Sequence, residues 1–266
     1  MSDLILEAQG LVRRFSDVTA VDHVSFSVKE GEVFGLIGLN GAGKSTLIKL
    51  LITLLKPTEG SATVCGFDVA HDPFNVRRSI GYVPQLVSAD GDLTAFENLN
   101  LYAKLYDVPA GERSSRVRQA LEFMALEGVG DRLVKQFSGG MVRRLEIAQS
   151  MLHHPKLLFL DEPTVGLDPV ARASVWEHIV NLRNEFGTTI FLTTHLLEEV
   201  EELCTDIAIM TSGKMVAHGS DEELRALVGP NASLEDTFVH FSNVSAEAAA
   251  GYSAARQSRR TAKRLG

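Results

Sequence analysis

The sequence predicts an α/β fold with two additions: an antiparallel β layer near the N-terminus and a mainly helical segment inserted in the middle. Three observations carry this. Short apolar runs of buried-strand type, Val33–Ile37 and Leu157–Leu160, each lead through a polar or glycine-rich loop into a helical stretch. Strand-like pieces at Leu4–Ala8, Val24–Val28 and Ser61–Val69, with turn chemistry at Pro57–Gly60, group residues 4–31 and 59–70 into one antiparallel layer. Residues 86–155 read as mainly helical.

The first run leads into Gly38-Leu39-Asn40-Gly41-Ala42-Gly43-Lys44-Ser45-Thr46, which fits the phosphate-binding pattern GxxxxGK[ST]. Glycines let backbone N–H groups curl around a polyphosphate that bulkier residues would block. Lys44 offers an ammonium to the β and γ oxygens, and Ser45 a hydroxyl ligand for Mg²⁺. A helix read over Leu47–Leu55 adds its N-terminal dipole. The fold class is therefore α/β with a P-loop NTPase core, and the stretch is a nucleoside-triphosphate site.

Composition fits a soluble globular chain: 266 residues, 45% hydrophobic, 23% charged and a net charge of −8. That charge gives no support for nucleic-acid binding, so no nucleic-acid partner is expected. No apolar stretch approaches the ~20 residues a membrane span needs, and Met1-Ser2-Asp3 does not open a signal peptide. Cys65 and Cys204 are the only cysteines, which suits a reducing compartment and excludes a cysteine-rich zinc site. His153-His154 reads as a helix end rather than a ligand pair.

Phe15 follows two arginines between the first two strand-like pieces and is either a core residue of the small sheet or a ring stacked on a nucleobase. Ile80–Val83 reads as a buried strand stopped by Pro84, leaving Gln85 at its exit. Thr94-Ala95-Phe96-Glu97 matches a capping box and opens a helix to about Asp107; a second helix covers Glu112–Leu126. Ser138-Gly139-Gly140, opening a helix over Val142–Leu152, is either a second anion site or a glycine-rich cap. At the end of the Leu157–Leu160 run, Asp161 suits a metal and Glu162 a general base. Gly166-Leu167-Asp168-Pro169 precedes a helix to about Phe186. A further buried strand, Thr189–Thr193, ends at His195, where open α/β sheets place ligands. Ile207–Met210 and Met215–Ala217 close the sheet around a Ser212-Gly213 turn. A helix capped from Ser220 and a last one over Ser233–Phe241 follow. Arg256, Arg259, Arg260, Lys263 and Arg264 then form a tail without acids, expected to be solvated and poorly ordered rather than a lipid or nucleic-acid contact.

The order and spacing of these elements resemble the nucleotide-binding subunit of ATP-binding cassette transporters, over residues 4–241. The resemblance implies one ATP-binding domain, 1–241, with a helical signature subdomain at 86–155 and a C-terminal tail at 242–266. It makes Gly38–Thr46 the Walker A loop, Gln85 the Q-loop, Ser138-Gly139-Gly140 the signature and Leu157–Glu162 Walker B. Asp168 falls in the D-loop, His195 at the switch histidine, and Phe15 where the family stacks an aromatic on adenine. Glu162, His195 and Gln85 are then catalytic, with Mg²⁺ held through Ser45, Gln85 and Asp161. The signature reads FSGGM where LSGGQ is the family's commonest form, which removes only a ribose contact at Met141. With the Ser233–Phe238 ending, it looks like the drug-resistance branch of exporter ATPases. Such a chain hydrolyses ATP as a head-to-tail dimer and pairs with a separate membrane permease, on the inner face of the cell membrane.

Two other classes are open. Relatives among DNA-repair and chromosome-organising ATPases carry a long coiled coil between the counterparts of Gln85 and Ser138, which this chain lacks. A nucleotide-dependent clamp without turnover loses the base or the switch histidine, and both Glu162 and His195 are present.

Overall fold

A computed structural model describes residues 4–242; the predicted basic tail lies outside the described residues. Strands β1 (Leu4–Phe15), β2 (Val18–Lys29), β4 (Glu59–Val64) and β5 (Phe67–Asp68) form an antiparallel sheet in the order β2-β1-β4-β5. This is the antiparallel layer that residues 4–31 and 59–70 predict. The first two strands are longer than the sequence suggests. Register shifts between Ala8 and Leu11, beside left-handed Gly10, and left-handed His23 in β2 interrupt the alternation there.

The second sheet runs β10-β9-β3-β8-β7-β6, from β3 (Val33–Ile37), β6 (Ile80–Val83), β7 (Leu157–Asp161), β8 (Thr189–Thr194), β9 (Asp206–Thr211) and β10 (Lys214–Gly219). All but β10 pair in parallel. A parallel strand covered on both faces needs apolar residues on both, and every residue of β3, β7 and β8 is buried. The carboxyl ends of β3, β7 and β8 therefore open side by side.

Helix α1 (Lys44–Leu51) lies between the two sheets, its Leu47, Ile48 and Leu51 in one core with Leu6, Leu11 and Val24. Phe34 stacks on Phe26 and on Phe191, with ring centroids 5.2 and 5.0 Å apart. Burying each such ring stabilises the fold by ~1.5–3 kcal/mol. The helix starts three residues earlier than the sequence indicates because the phosphate loop itself winds into the first turn. It stops at Leu51, since Thr53 is left-handed.

Helix α2 (Pro73–Ser79) leads into β6. Between β6 and β7 come α3 (Ala95–Leu105), α4 (Ala110–Phe123) and α5 (Gly139–Met151). The Thr94–Glu97 capping box is present. Helix α5 begins at Gly139 rather than Val142, because Ser138 is its N-cap and both glycines lie in its first turn. A second core joins α3, α4 and α5 to α6 (Pro169–Phe186) through Leu99, Leu121, Leu145 and Ile179. The chain continues with α7 (Leu197–Leu203), α8 (Asp221–Ala226) and α9 (Leu234–Ser242). Val200, Leu224 and Phe238 from these three make a third, smaller core against β9. No helix among the described residues is long and apolar enough to cross a membrane.

Candidate functional site

β3 delivers the phosphate loop straight into α1. Two of its glycines are fixed by packing as much as by any ligand. A Cβ on Gly38 would lie 2.4 Å from the Met210 carbonyl oxygen, and one on Gly43 2.3 Å from that of Ala20. Gly43 is also left-handed, with φ 107°. Gly41, at φ 83°, has open space around it and serves the turn. Asn40 is exposed, Leu39 packs against the third core, buried Ala42 donates its N–H to the Leu39 carbonyl (3.1 Å), and Thr46 is half-buried in the first turn. No side chain caps α1. Its leading amides are thus left for an acceptor from outside the helix, and the dipole favours an anion.

Lys44 is buried at the start of that helix. Its ammonium donates to the carbonyls of Gly38 (2.7 Å) and Leu39 (3.4 Å) and pairs with Glu162 Oε1 at 3.1 Å. Glu162 Oε2 meets His195 Nδ1 at 2.6 Å. Left-handed at φ 53°, Glu162 donates its N–H to the carbonyl of Thr193 (3.0 Å) and to Thr193 Oγ1 (3.2 Å). Burial raises the Glu162 carboxyl pKa, but the hydrogen bond from His195 and the charges of Lys44 and His195 outweigh it, leaving the group below its ordinary value. It is an ionised carboxylate at neutral pH, the state a general base needs.

Asp161 Oδ1 accepts from Thr193 Oγ1 (2.6 Å) and from Ser45 Oγ (3.2 Å). A carboxylate and a hydroxyl in contact, beside the phosphate loop, form an all-oxygen donor set that suits Mg²⁺. Among the described residues there is no cluster of three or more His, Cys, Asp or Glu side chains for a metal held by protein alone.

The sequence-predicted residues thus divide. Lys44, Ser45, Asp161, Glu162 and His195 come together. Gln85 is exposed, and its main-chain carbonyl accepts from the Arg143 guanidinium at 3.1 Å. Phe15 is 41% exposed with the Arg13 guanidinium 4.5 Å from its ring centroid, so the core alternative for this residue is wrong. Ser138 and Gly139 are exposed, and Ser138 Oγ accepts from the Met141 N–H of its own helix at 3.3 Å. Gly140 is buried, where a Cβ would come 2.9 Å from that of Ala171. Asp168 caps α6 by accepting from the N–H groups of Val170 and Ala171, both at 2.9 Å.

Three groups escape the sequence reading. Thr193 bridges Asp161 and Glu162; its only signal is a hydroxyl near the end of an apolar strand. Buried Glu199 accepts from Thr164 Oγ1 (2.8 Å) and Trp176 Nε1 (3.0 Å), joining the segment after Glu162 to α6 and α7. Arg143 and Glu146 form a buried pair on α5 at 3.0 Å.

A phosphate loop at the end of parallel strand β3, with an acid pair at the end of β7 one strand away across β8, defines a P-loop nucleoside-triphosphatase. The ABC transporter family profile matches residues 21–165. The chain is 43% identical to the daunorubicin/doxorubicin resistance ATP-binding protein DrrA of Streptomyces peucetius, over 85% of this chain and 68% of that one. It is 41% identical to the Nod factor export ATP-binding protein I of Ralstonia nicotianae, over 83% and 68%. Its fold matches a dimeric ATP-binding cassette in a post-hydrolysis state bound to ADP and Pi, with a TM-score of 0.72 and 25% identity over 81% of this chain and 98% of that one. The chain belongs to the ABC transporter family, as an ATP-binding subunit that hydrolyses ATP to drive transport.

Proposed function

We propose that two copies of this chain assemble head to tail around two ATP molecules and power a separate membrane permease that exports drugs or other amphipathic compounds. The observation that carries the head-to-tail reading is the separation of the two phosphate-binding elements. Lys44 is met by Gly38, Leu39 and Glu162 of its own chain, whereas Ser138 and Gly139 stand exposed at the N-terminus of α5, which Ser138 itself caps. A helix N-terminus with a hydroxyl and two glycines is suited to a phosphate, and in this reading the second chain brings it. The dimeric cassette with ADP and Pi supports a dimer.

In this reading Lys44 and the amides of residues 38–46 hold the triphosphate, and Phe15 offers its exposed face to the adenine. Ser45, Asp161 and Gln85 hold Mg²⁺, which when bound neutralises charge on the phosphates. Glu162 takes a proton from the attacking water. His195 keeps that carboxylate oriented, and Asp168 reaches the partner's site. One ATP-binding domain covers 1–241, with 86–155 as the part that moves with the signature. The export reading comes from the relatives, whose names are those of drug-resistance and Nod factor export proteins. A permease contact is supported by exposed apolar side chains: Leu86 and Val87 after Gln85, Leu101 and Leu105 on α3, and Phe74 on α2. Docking there places the chain on the inner face of the cell membrane.

Complementation tests the arrangement. Lys44→Ala chains and Ser138→Arg chains, each inactive alone, regain part of the ATPase rate when mixed, because one composite site in the mixed dimer is intact. Mixed dimers that form and yet show no activity rule the arrangement out.

A further inference from the structure

The buried pair on α5 takes no part in the phosphate cluster, yet it is built with care. Arg143 is 6% exposed and Glu146 2%, one turn beyond the signature glycines. The Arg143 guanidinium donates to the carbonyls of Pro84 (2.7 Å) and Gln85 (3.1 Å). Glu146 Oε1 accepts from the Ser88 N–H (2.5 Å) and from Ser88 Oγ (2.9 Å). Four hydrogen bonds therefore fasten the segment 84–88 to a single turn of α5.

Burying two charges is costly, and well-packed apolar residues commonly serve stability as well or better. Packing alone is thus a poor reason for a guanidinium and a carboxylate here. Their geometry supplies another. The guanidinium fork spans two successive carbonyls, and the carboxylate takes both donors of Ser88, so the main chain around Gln85 is gripped from both ends. Its side chain stays exposed, as do Leu86 and Val87.

We infer that Arg143 and Glu146 are positioning residues that lock the Gln85 loop to the signature helix, so that the two ATP sites of a dimer are coupled through each chain. The inference rests on the head-to-tail reading above. With the loop fastened to α5, Gln85 cannot move toward its own phosphate loop unless Ser138 moves with it. Ser138 serves the ATP of the other chain. Filling one site therefore presets the signature of the second, and nucleotide binding is cooperative. Sequence spacing alone conceals this link, since 58 or 59 residues separate the partners in the chain.

The test is an equilibrium ATP titration of full-length Glu162→Gln protein, which isolates binding from turnover, with dimer formation followed by light scattering. The Hill coefficient is expected near ~2, the number of sites. Adding Arg143→Met with Glu146→Met, which removes both charges together, is expected to lower it toward ~1 and to lower the dimer fraction. Affinity at low ATP stays unchanged while cooperativity falls, a split that a merely structural role of the pair does not produce. Arg143→Lys, which can reach one carbonyl but not both, gives an intermediate value and decides the matter if the double variant fails to fold. Full cooperativity in either folded variant overturns the coupling role while leaving the dimer intact. A Glu162→Gln protein that neither dimerises nor binds cooperatively overturns the dimer reading, and the coupling with it.

Discussion

Lys44 and Glu162 are ion-paired across the phosphate loop, Nζ to Oε1 3.1 Å, with both side chains at least 95% buried. The proposed γ-phosphate ligand and the proposed general base thus satisfy each other. In the proposed reaction a triphosphate would offer Lys44 a replacement anion and release Glu162, whose other oxygen is held by His195. Glu162→Gln removes the charge but keeps the size. Hydrolysis is expected to fall by ~10²–10⁴-fold, the usual contribution of a general base. ATP binding survives through Lys44, Ser45 and Asp161, so the variant accumulates as an ATP-bound dimer on a sizing column. Turnover at the parental rate means that Glu162 is not the base.

The same carboxylate gives a pH signature. Its pKa in the folded chain lies below the ordinary value, so the unfolded chain binds the proton more readily and stability rises with pH across that interval. The contribution is complete above about pH 4.3, the unperturbed glutamate value, and disappears as pH falls through the lower folded value. The melting-temperature gap between parent and Glu162→Gln is therefore constant near neutrality and narrows on acidification below that point. His218 has the opposite sign. Its hydrogen bond to Asp206 raises its pKa against the effect of burial, so its contribution is complete below about pH 6.5 and is lost as pH rises through the raised value. A gap between parent and His218→Asn that grows with pH contradicts this.

Thr193 offers a sharper check on how the acids are held. Its hydroxyl donates to Asp161 and accepts from the Glu162 N–H, at 2.6 and 3.2 Å. Thr193→Val keeps the shape and leaves a buried carboxylate oxygen short of one donor, which costs ~1–3 kcal/mol. Thr193→Ser restores the hydroxyl and is expected to recover most of the stability in denaturant melts, together with the ATPase rate. A valine variant as stable and as active as the parent shows that the bridge is idle.

Much of this site was legible because its chemistry is local in sequence. The loop from Gly38 to Thr46, the acids at 161 and 162 and the histidine after a buried strand each announce themselves within a few residues. The antiparallel layer was legible too, although the bulges at Gly10 and His23 hid half the length of β1 and β2. What stayed hidden depends on contacts across long separations. Arg143 looks like any helix arginine until Pro84 and Gln85 fold against it, and Glu199 like a solvated acid until Trp176 and Thr164 close over it. The loop glycines carry a second lesson. Phosphate access accounts for their presence in the pattern, but Gly38 and Gly43 are also demanded by the carbonyls of Met210 and Ala20.

Ser138 has two jobs that one pair of substitutions separates. Its hydroxyl caps α5 through the Met141 N–H, and in the proposed dimer it would meet the partner's phosphate. Ser138→Ala loses both roles, and loss of a cap costs ~0.5–2 kcal/mol; the long 3.3 Å bond argues for the lower end. Ser138→Asp keeps the cap, since aspartate is as good an N-cap as serine and its charge suits the helix dipole. It also sets a carboxylate against the γ-phosphate across the interface, where like charges repel. Denaturant melts are therefore expected to rank Ser138→Asp level with the parent and Ser138→Ala below it. Sizing columns in the Glu162→Gln background rank them the other way, with the alanine variant retaining part of its ATP-dependent dimer and the aspartate variant none. Aspartate at 138 that dimerises as tightly as serine removes the signature from the phosphate contact and confines Ser138 to its own helix.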